Sequence, residues 1–126
     1  AGFQLVISYN PGYQHLLKDL KPSTRQRFVA LEFSVPPPER EIAIVMHEGG
    51  VSHHQAADLV ALAGRLRKLR DRGLPEVPST RLLVAAARLI VSGVAPREAC
   101  RVAIAAPLTD DPDLLAAAQD VISALM

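Results

Sequence analysis

The period of the apolar positions changes once along the chain, at Val35-Pro36-Pro37-Pro38. Before that point Phe3-Gln4-Leu5-Val6-Ile7-Ser8 is short, β-branched and nearly continuous in apolarity, which predicts a strand buried on both faces, as in a parallel sheet. Pro11-Gly12 supplies a turn, because proline presets φ and glycine tolerates positive φ at the next position. Residues Tyr13 to Leu20 read as a brief helix. Ser23 followed by Gln26 matches a capping box and predicts a single helical turn carrying Arg25 and Arg27, after which Phe28 to Phe33 resumes as strand. Two strands alone are not stable without covering partners. The triple proline is stiff, extended and poor in backbone donors, so the domain boundary is placed there, dividing 1–35 from 36–126.

Beyond the prolines the period becomes helical. Ile42, Val45 and Met46 form one stripe, which Gly49-Gly50 ends. Ser52 and Gln55 match a second capping box at the head of a long helix whose Ala56, Leu59, Leu62, Leu66 and Leu69 recur at three- and four-residue steps until Gly73. Ser79 or Thr80 is placed to cap a helix from about Arg81 to Ser92. Its apolar residues, Leu82 to Ala87 and Leu89 to Val91, leave little polar face, so it is expected at the centre of the bundle. Pro96 opens a further helix to about Ala105, and Asp111-Pro112 opens a last one bearing Leu114, Leu115, Ala118, Val121, Ile122 and Leu125.

Composition supports this class. The 126 residues are 49% apolar, enough for a real core, but only five are aromatic and none is tryptophan. Alanine, leucine and valine dominate, which favours helices packed through small and branched aliphatics. The expected class is mostly α, a bundle of four to five helices preceded by two strands. The net charge of +1 exerts no overall pull on nucleic acid or membrane, so charge acts through clusters: Arg65, Arg67, Lys68, Arg70 and Arg72 in one segment, and Asp110, Asp111, Asp113 and Asp120 in another. The one cysteine, Cys100, forms no internal disulfide, and no apolar run reaches the ~20 residues of a membrane helix. The expected compartment is the cytoplasm. The chain lacks an initiator methionine and opens almost directly on the first strand pattern, so it is read as a piece of a longer protein.

Several side chains invite a chemical reading beside a plainer one. Asn10 follows a buried strand at its carboxyl end, where open α/β sheets place ligands, and its amide can orient a water; it can equally bond its own backbone before Pro11. Arg25 and Arg27 carry planar, permanent charge suited to spreading phosphate charge on a neighbouring molecule, or are solvated and paired with Asp19 or Glu32. Arg81 opens a helix, where the backbone NH groups and its own charge both favour an anion; otherwise it is a surface arginine answering Glu76. His47-Glu48-Gly49-Gly50-Val51 has Val51 where a zinc-protease motif needs its second histidine, and adjacent His53 and His54 splay about 100° apart on a helix, so no metal site is expected. Cys100 reads as buried packing. The 65–72 basic run reads as a solvated face whose stems cover apolar surface, without interleaved aromatics to stack bases.

Three spaced blocks carry a resemblance: Phe3 to Tyr13, Leu20 to Phe28, and Ser79 to Leu83, with Pro107-Leu108-Thr109-Asp110-Asp111 near the end. In this order they resemble the CbbQ/NirQ/NorQ branch of the MoxR-type AAA+ ATPases over essentially the whole chain. The resemblance implies the last two strands of an AAA+ α/β core followed by a helical lid. It implies that Asn10 is sensor 1, that Arg27 or alternatively Arg25 is the arginine finger offered to the adjacent subunit, and that Arg81 is the sensor 2 arginine. The Pro36 to Pro38 linker would be the hinge between core and lid.

The family resemblance further implies ATP and Mg²⁺ in the parent protein, a homo-oligomeric, hexameric ring, a partner with a von Willebrand A-type domain, and a client metalloenzyme such as ribulose bisphosphate carboxylase or nitric oxide reductase. Neither membrane insertion nor nucleic-acid binding is expected. The sequence departs from the complete pattern in having no Gly-x-x-x-x-Gly-Lys-[Ser/Thr] loop and no strand ending in the acidic pair that holds Mg²⁺. The chain alone is therefore expected to hydrolyse no ATP and to hold no cofactor. The alternative reading is a free-standing helical module whose basic helix 65–72 docks an acidic partner or nucleic acid.

Overall fold

Proline sets the starting points of most of the described helices. A computed structural model of the chain describes residues 2–8 and 21–126. Among the described residues the helices are α1 (Pro22–Arg25), α2 (Pro38–Gly49), α3 (His53–Lys68), α4 (Thr80–Val91), α5 (Pro96–Cys100), α6 (Ala106–Leu108) and α7 (Pro112–Leu125). In α1, α2, α5 and α7 a proline occupies the first turn, where its missing N–H is an orphan donor in any case and its fixed φ is already helical. The chain divides into two units, residues 1–33 and 34–126.

Within the first unit the described residues form no strand, and this corrects the expectation for Phe3–Ser8 and Phe28–Phe33. Phe3, Val6, Val29, Leu31 and Phe33 are largely exposed, Phe3 and Phe33 by more than 90% (91% and 92%). A strand is defined by its ladder partners, and an extended apolar segment without them has neither the hydrogen bonds nor the burial that its composition is suited to. The capping box expected at Ser23 is also absent: α1 begins two residues earlier, with Lys21 at the N-cap and no side-chain cap, and it ends at Arg25, leaving Arg27 in the following turn. The turn at Pro11-Gly12 and the helix from Tyr13 to Leu20 lie outside the described residues.

The second unit is a helical bundle of six helices among the described residues, α2 to α7, which corrects the expected four to five, because a π-helical turn divides the stretch that begins at Pro96. Helix α2 packs against α3 and α4, α4 against the α5 segment, and α7 against α3. The Ser52 capping box forms as read: the Ser52 hydroxyl accepts from the Gln55 amide at 3.2 Å, and the Gln55 side chain accepts from the Ser52 amide at 3.2 Å. Helix α3 is the central one, with Ala56, Leu59, Val60, Leu62, Ala63 and Leu66 all buried. This corrects the placement of α4, which buries only Leu83, Ala86 and Ala87 along one stripe and exposes Ala85 and Val91. Alanine is cheap to expose and favourable in any helix, so a run rich in alanine does not mark which face is inward.

Two details fix how closely the helices approach. A methyl group on Gly49 would collide with the Ala87 side chain, so the end of α2 lies against α4 at backbone distance. Gly50 then takes φ 77°, the left-handed conformation that closes a helix, and its N–H donates to the Met46 carbonyl at 2.9 Å. Between α5 and α6 the rod continues through a π-helical turn at Arg101–Ala105, in which the Ala106 N–H reaches back five residues to the Arg101 carbonyl. Pro107 explains the detour, because it cannot donate to the residue 103 carbonyl that an unbroken α-helix would present to it.

Candidate functional site

The site is built around the head of α4, and its foundation is a carboxylate that is not among the candidate residues read from the sequence. Glu41 lies in the first turn of α2, three residues after Pro38, and is 1% exposed. A charge so deeply buried must be paired and hydrogen-bonded. Arg67, from the last turn of α3, grips it with both ends of its guanidinium: Nη1 donates to Oε2 at 2.9 Å and Nη2 to Oε1 at 2.7 Å. The remaining guanidinium donor, Nε, reaches the Pro78 carbonyl at 3.0 Å, and the Thr80 hydroxyl donates to Glu41 Oε1 at 2.9 Å. Among the described residues, every buried side-chain nitrogen and oxygen has a partner.

Burial by itself pushes the Glu41 carboxyl up. The hydrogen bonds from Arg67 and Thr80, with the positive charge of Arg67, outweigh it and hold the carboxyl below the ordinary value of 4.5. Glu41 is thus ionised at neutral pH and neutralised by a bidentate partner, the strongest geometry available to an arginine and a carboxylate. A carboxylate at the head of α4 also complements the positive end of that helix.

This network changes the reading of two residues. Arg67 is not part of a solvated face: its side chain is 17% exposed, and the basic run loses its second member to an internal bond. The run is also not one helix, since α3 ends at Lys68 and residues Leu69–Arg72 continue as a 3₁₀ turn. Thr80 does not cap α4. The N-cap is Ser79, which makes no capping hydrogen bond among the described residues, and the hydroxyl one position later is committed to Glu41 instead.

Arg81 follows immediately. It is exposed at the second position of α4 and makes no ion pair with any described residue, Glu76 included. Arg25 and Arg27 belong to the first unit, where both are exposed, and neither pairs with Glu32. Asn10 lies outside the described residues. Among the described residues no cluster of His, Cys, Asp and Glu is arranged to hold a metal ion. His54 instead approaches Asp58 one turn along α3, at 3.5 Å. Cys100 is fully buried, and desolvation pushes its thiol up to about 11, so it serves as packing, as its apolar surroundings in the sequence suggested. No described helix is long and apolar enough to cross a membrane.

Residues 41–125 match the family described as CbbQ/NirQ/NorQ C-terminal. The chain belongs to the CbbQ/NirQ/NorQ family. It is 58% identical over 120 residues to the denitrification regulatory protein NirQ of Pseudomonas aeruginosa, covering 95% of this chain and 46% of that protein. It is 57% identical over 112 residues to protein CbbQ of Hydrogenophilus thermoluteolus, covering 89% of this chain and 42% of the other. With protein NorQ of Paracoccus denitrificans it shares 49% identity over 124 residues, 98% of this chain and 46% of that one. The chain spans a little under half the length of these curated relatives. The family match covers most of the helical unit, including Glu41, Arg67, Thr80 and Arg81.

Proposed function

We propose that this chain is the carboxyl-terminal part of an AAA+ ATPase of the MoxR type, with residues 1–35 completing the ATPase core and 36–126 forming its helical lid. In that reading Arg81 is the sensor 2 arginine, which contacts the nucleotide phosphates from the lid. Asn10 is sensor 1 and orients the attacking water. Arg27, with Arg25 as the alternative, is presented to the nucleotide of the adjacent subunit of a hexameric ring. The cradle for ATP and Mg²⁺ belongs to the rest of the parent protein, and the isolated chain hydrolyses no ATP. Turnover would drive activation or remodelling of a metalloenzyme in the cytoplasm, with a von Willebrand A-type partner. A ribulose bisphosphate carboxylase and a nitric oxide reductase are the client classes proposed.

The observation that carries this reading is the contrast at the head of α4. Arg67 and Glu41 neutralise each other in the interior, while Arg81, one residue after the Thr80 that Glu41 holds, keeps its charge exposed beside backbone N–H groups that favour an anion. A guanidinium there is placed to bind phosphate oxygens, and charge-assisted bonds of that kind contribute about 1.5 to 3 kcal/mol.

The test uses the full-length parent. Arg81→Ala should weaken ATP binding about tenfold to a hundredfold. Arg27→Ala should leave binding near wild type and lower turnover by about 10³ or more, and doping it into wild-type rings should depress the activity of the mixture. ATP affinity unchanged by Arg81→Ala would remove the sensor reading.

A further inference from the structure

A buried ion pair is weak evidence for stability, since well-packed apolar residues of similar volume often do as well or better. What Glu41 and Arg67 provide that apolar residues would not is a grip on particular atoms. Arg67 Nε holds the Pro78 carbonyl, and Glu41 Oε1 holds the Thr80 hydroxyl. Those two contacts straddle Ser79, the N-cap, and end one residue before Arg81. The usual device for fixing a helix start, a side-chain cap from Ser79, is not used. The start of α4 is instead fixed from beneath by α2 and α3 together.

We infer that Glu41, Arg67 and Thr80 are positioning residues for Arg81, which set the backbone from which its guanidinium reaches an anion. The inference rests on the reading of Arg81 as a phosphate contact. An arginine loses side-chain freedom when it binds, and a backbone that also had to be ordered would add to that cost. Because Glu41 lies in the first turn of α2, the same grip ties the Arg81 end of α4 to the segment that emerges from Pro36–Pro38.

The experiment compares Thr80→Val, Thr80→Ser, Arg81→Ala and the double variant Thr80→Val/Arg81→Ala in the full-length protein, reading ATP affinity and melting temperature. Thr80→Val keeps the shape of the side chain and removes the donor to Glu41; it should weaken ATP binding about fivefold. Thr80→Ser should restore it. In the Arg81→Ala background Thr80→Val should cost no further affinity but should keep its own effect on the melting temperature, a separation that a purely structural role would not give. Arg67→Lys, which retains charge but loses the fork and the bond to Pro78, should repeat the pattern and serves as the second variant if Thr80→Val folds poorly. An affinity loss of equal size with and without Arg81, or none at all beside a weakened Arg81→Ala, overturns the inference alone. Normal binding by Arg81→Ala overturns the phosphate reading and this inference with it.

Discussion

Residues 28–33 carry a higher density of large apolar side chains than helix α3, yet Val29, Leu31 and Phe33 are exposed whereas Leu59, Leu62 and Leu66 are completely buried. The difference lies in what each segment has to pack against. A helix satisfies its own backbone and needs neighbours only along one stripe, and α3 finds them in α2, α4 and α7. An extended segment needs a partner for its backbone as well as for its side chains, and within the first unit the described residues supply neither. Composition therefore indicates how strongly a segment favours burial, and the available partners decide whether burial happens.

The largest effect that sharpens this contrast is expected from paired truncations in the 126-residue chain. Leu62→Ala should destabilise the helical unit by about 2 to 5 kcal/mol, whereas Phe33→Ala, the larger truncation, should change its stability by no more than about 0.5 kcal/mol. Chemical denaturation followed by helical circular dichroism measures both. A comparable loss from Phe33→Ala would show that the first unit supports the second. Next in size is Gly49→Ala, which forces a methyl group against Ala87 and should cost about 1 to 3 kcal/mol through separation of α2 and α4. A neutral result in the same denaturation assay would mean that the two helices part easily.

The smallest effect is a pH dependence. The Glu41 carboxyl is held below its ordinary value in the folded protein, so its charged form contributes stability that is complete above the unfolded value and is lost as pH falls through the folded one. The stability difference between wild type and Glu41→Gln should therefore narrow as the pH drops below about 4.5. A gap that stays constant down to the acid transition would argue against an ionised Glu41 in the folded state.

The helices of the second unit were legible because their signals are local. The Ser52 capping box, the Gly49-Gly50 stop, Pro96 at a first turn and Asp111 capping through Asp113 and Leu114 all act within a few residues of where they stand. The two strands were misread because strand formation is a property of a pair, and the pattern at Phe3–Ser8 states only a suitability. The Glu41–Arg67–Thr80 network was missed for a related reason. Its members are separated by 26 and 39 residues, and Arg67 was hidden among Arg65, Lys68, Arg70 and Arg72, whose side chains do face solvent. One signal was available. Glu41 stands one residue before Ile42 on the apolar stripe of α2, and a carboxylate beside such a stripe asks for a partner from another element.

The π-helical turn before Pro107 gives the α5–α6 rod one residue more than its length as a regular helix would require. Rewinding it to α-helical pitch would turn everything beyond it by about 100°, swinging Leu108 out of the core and carrying α7 with it. Pro107 opposes that rewinding, since its ring would clash with the residue 103 carbonyl and it lacks the hydrogen to bond it. The residue works like a ratchet pawl: it locks the rotational setting of the carboxyl-terminal helix and so keeps Ala118 and Ile122 engaged with the rest of the bundle.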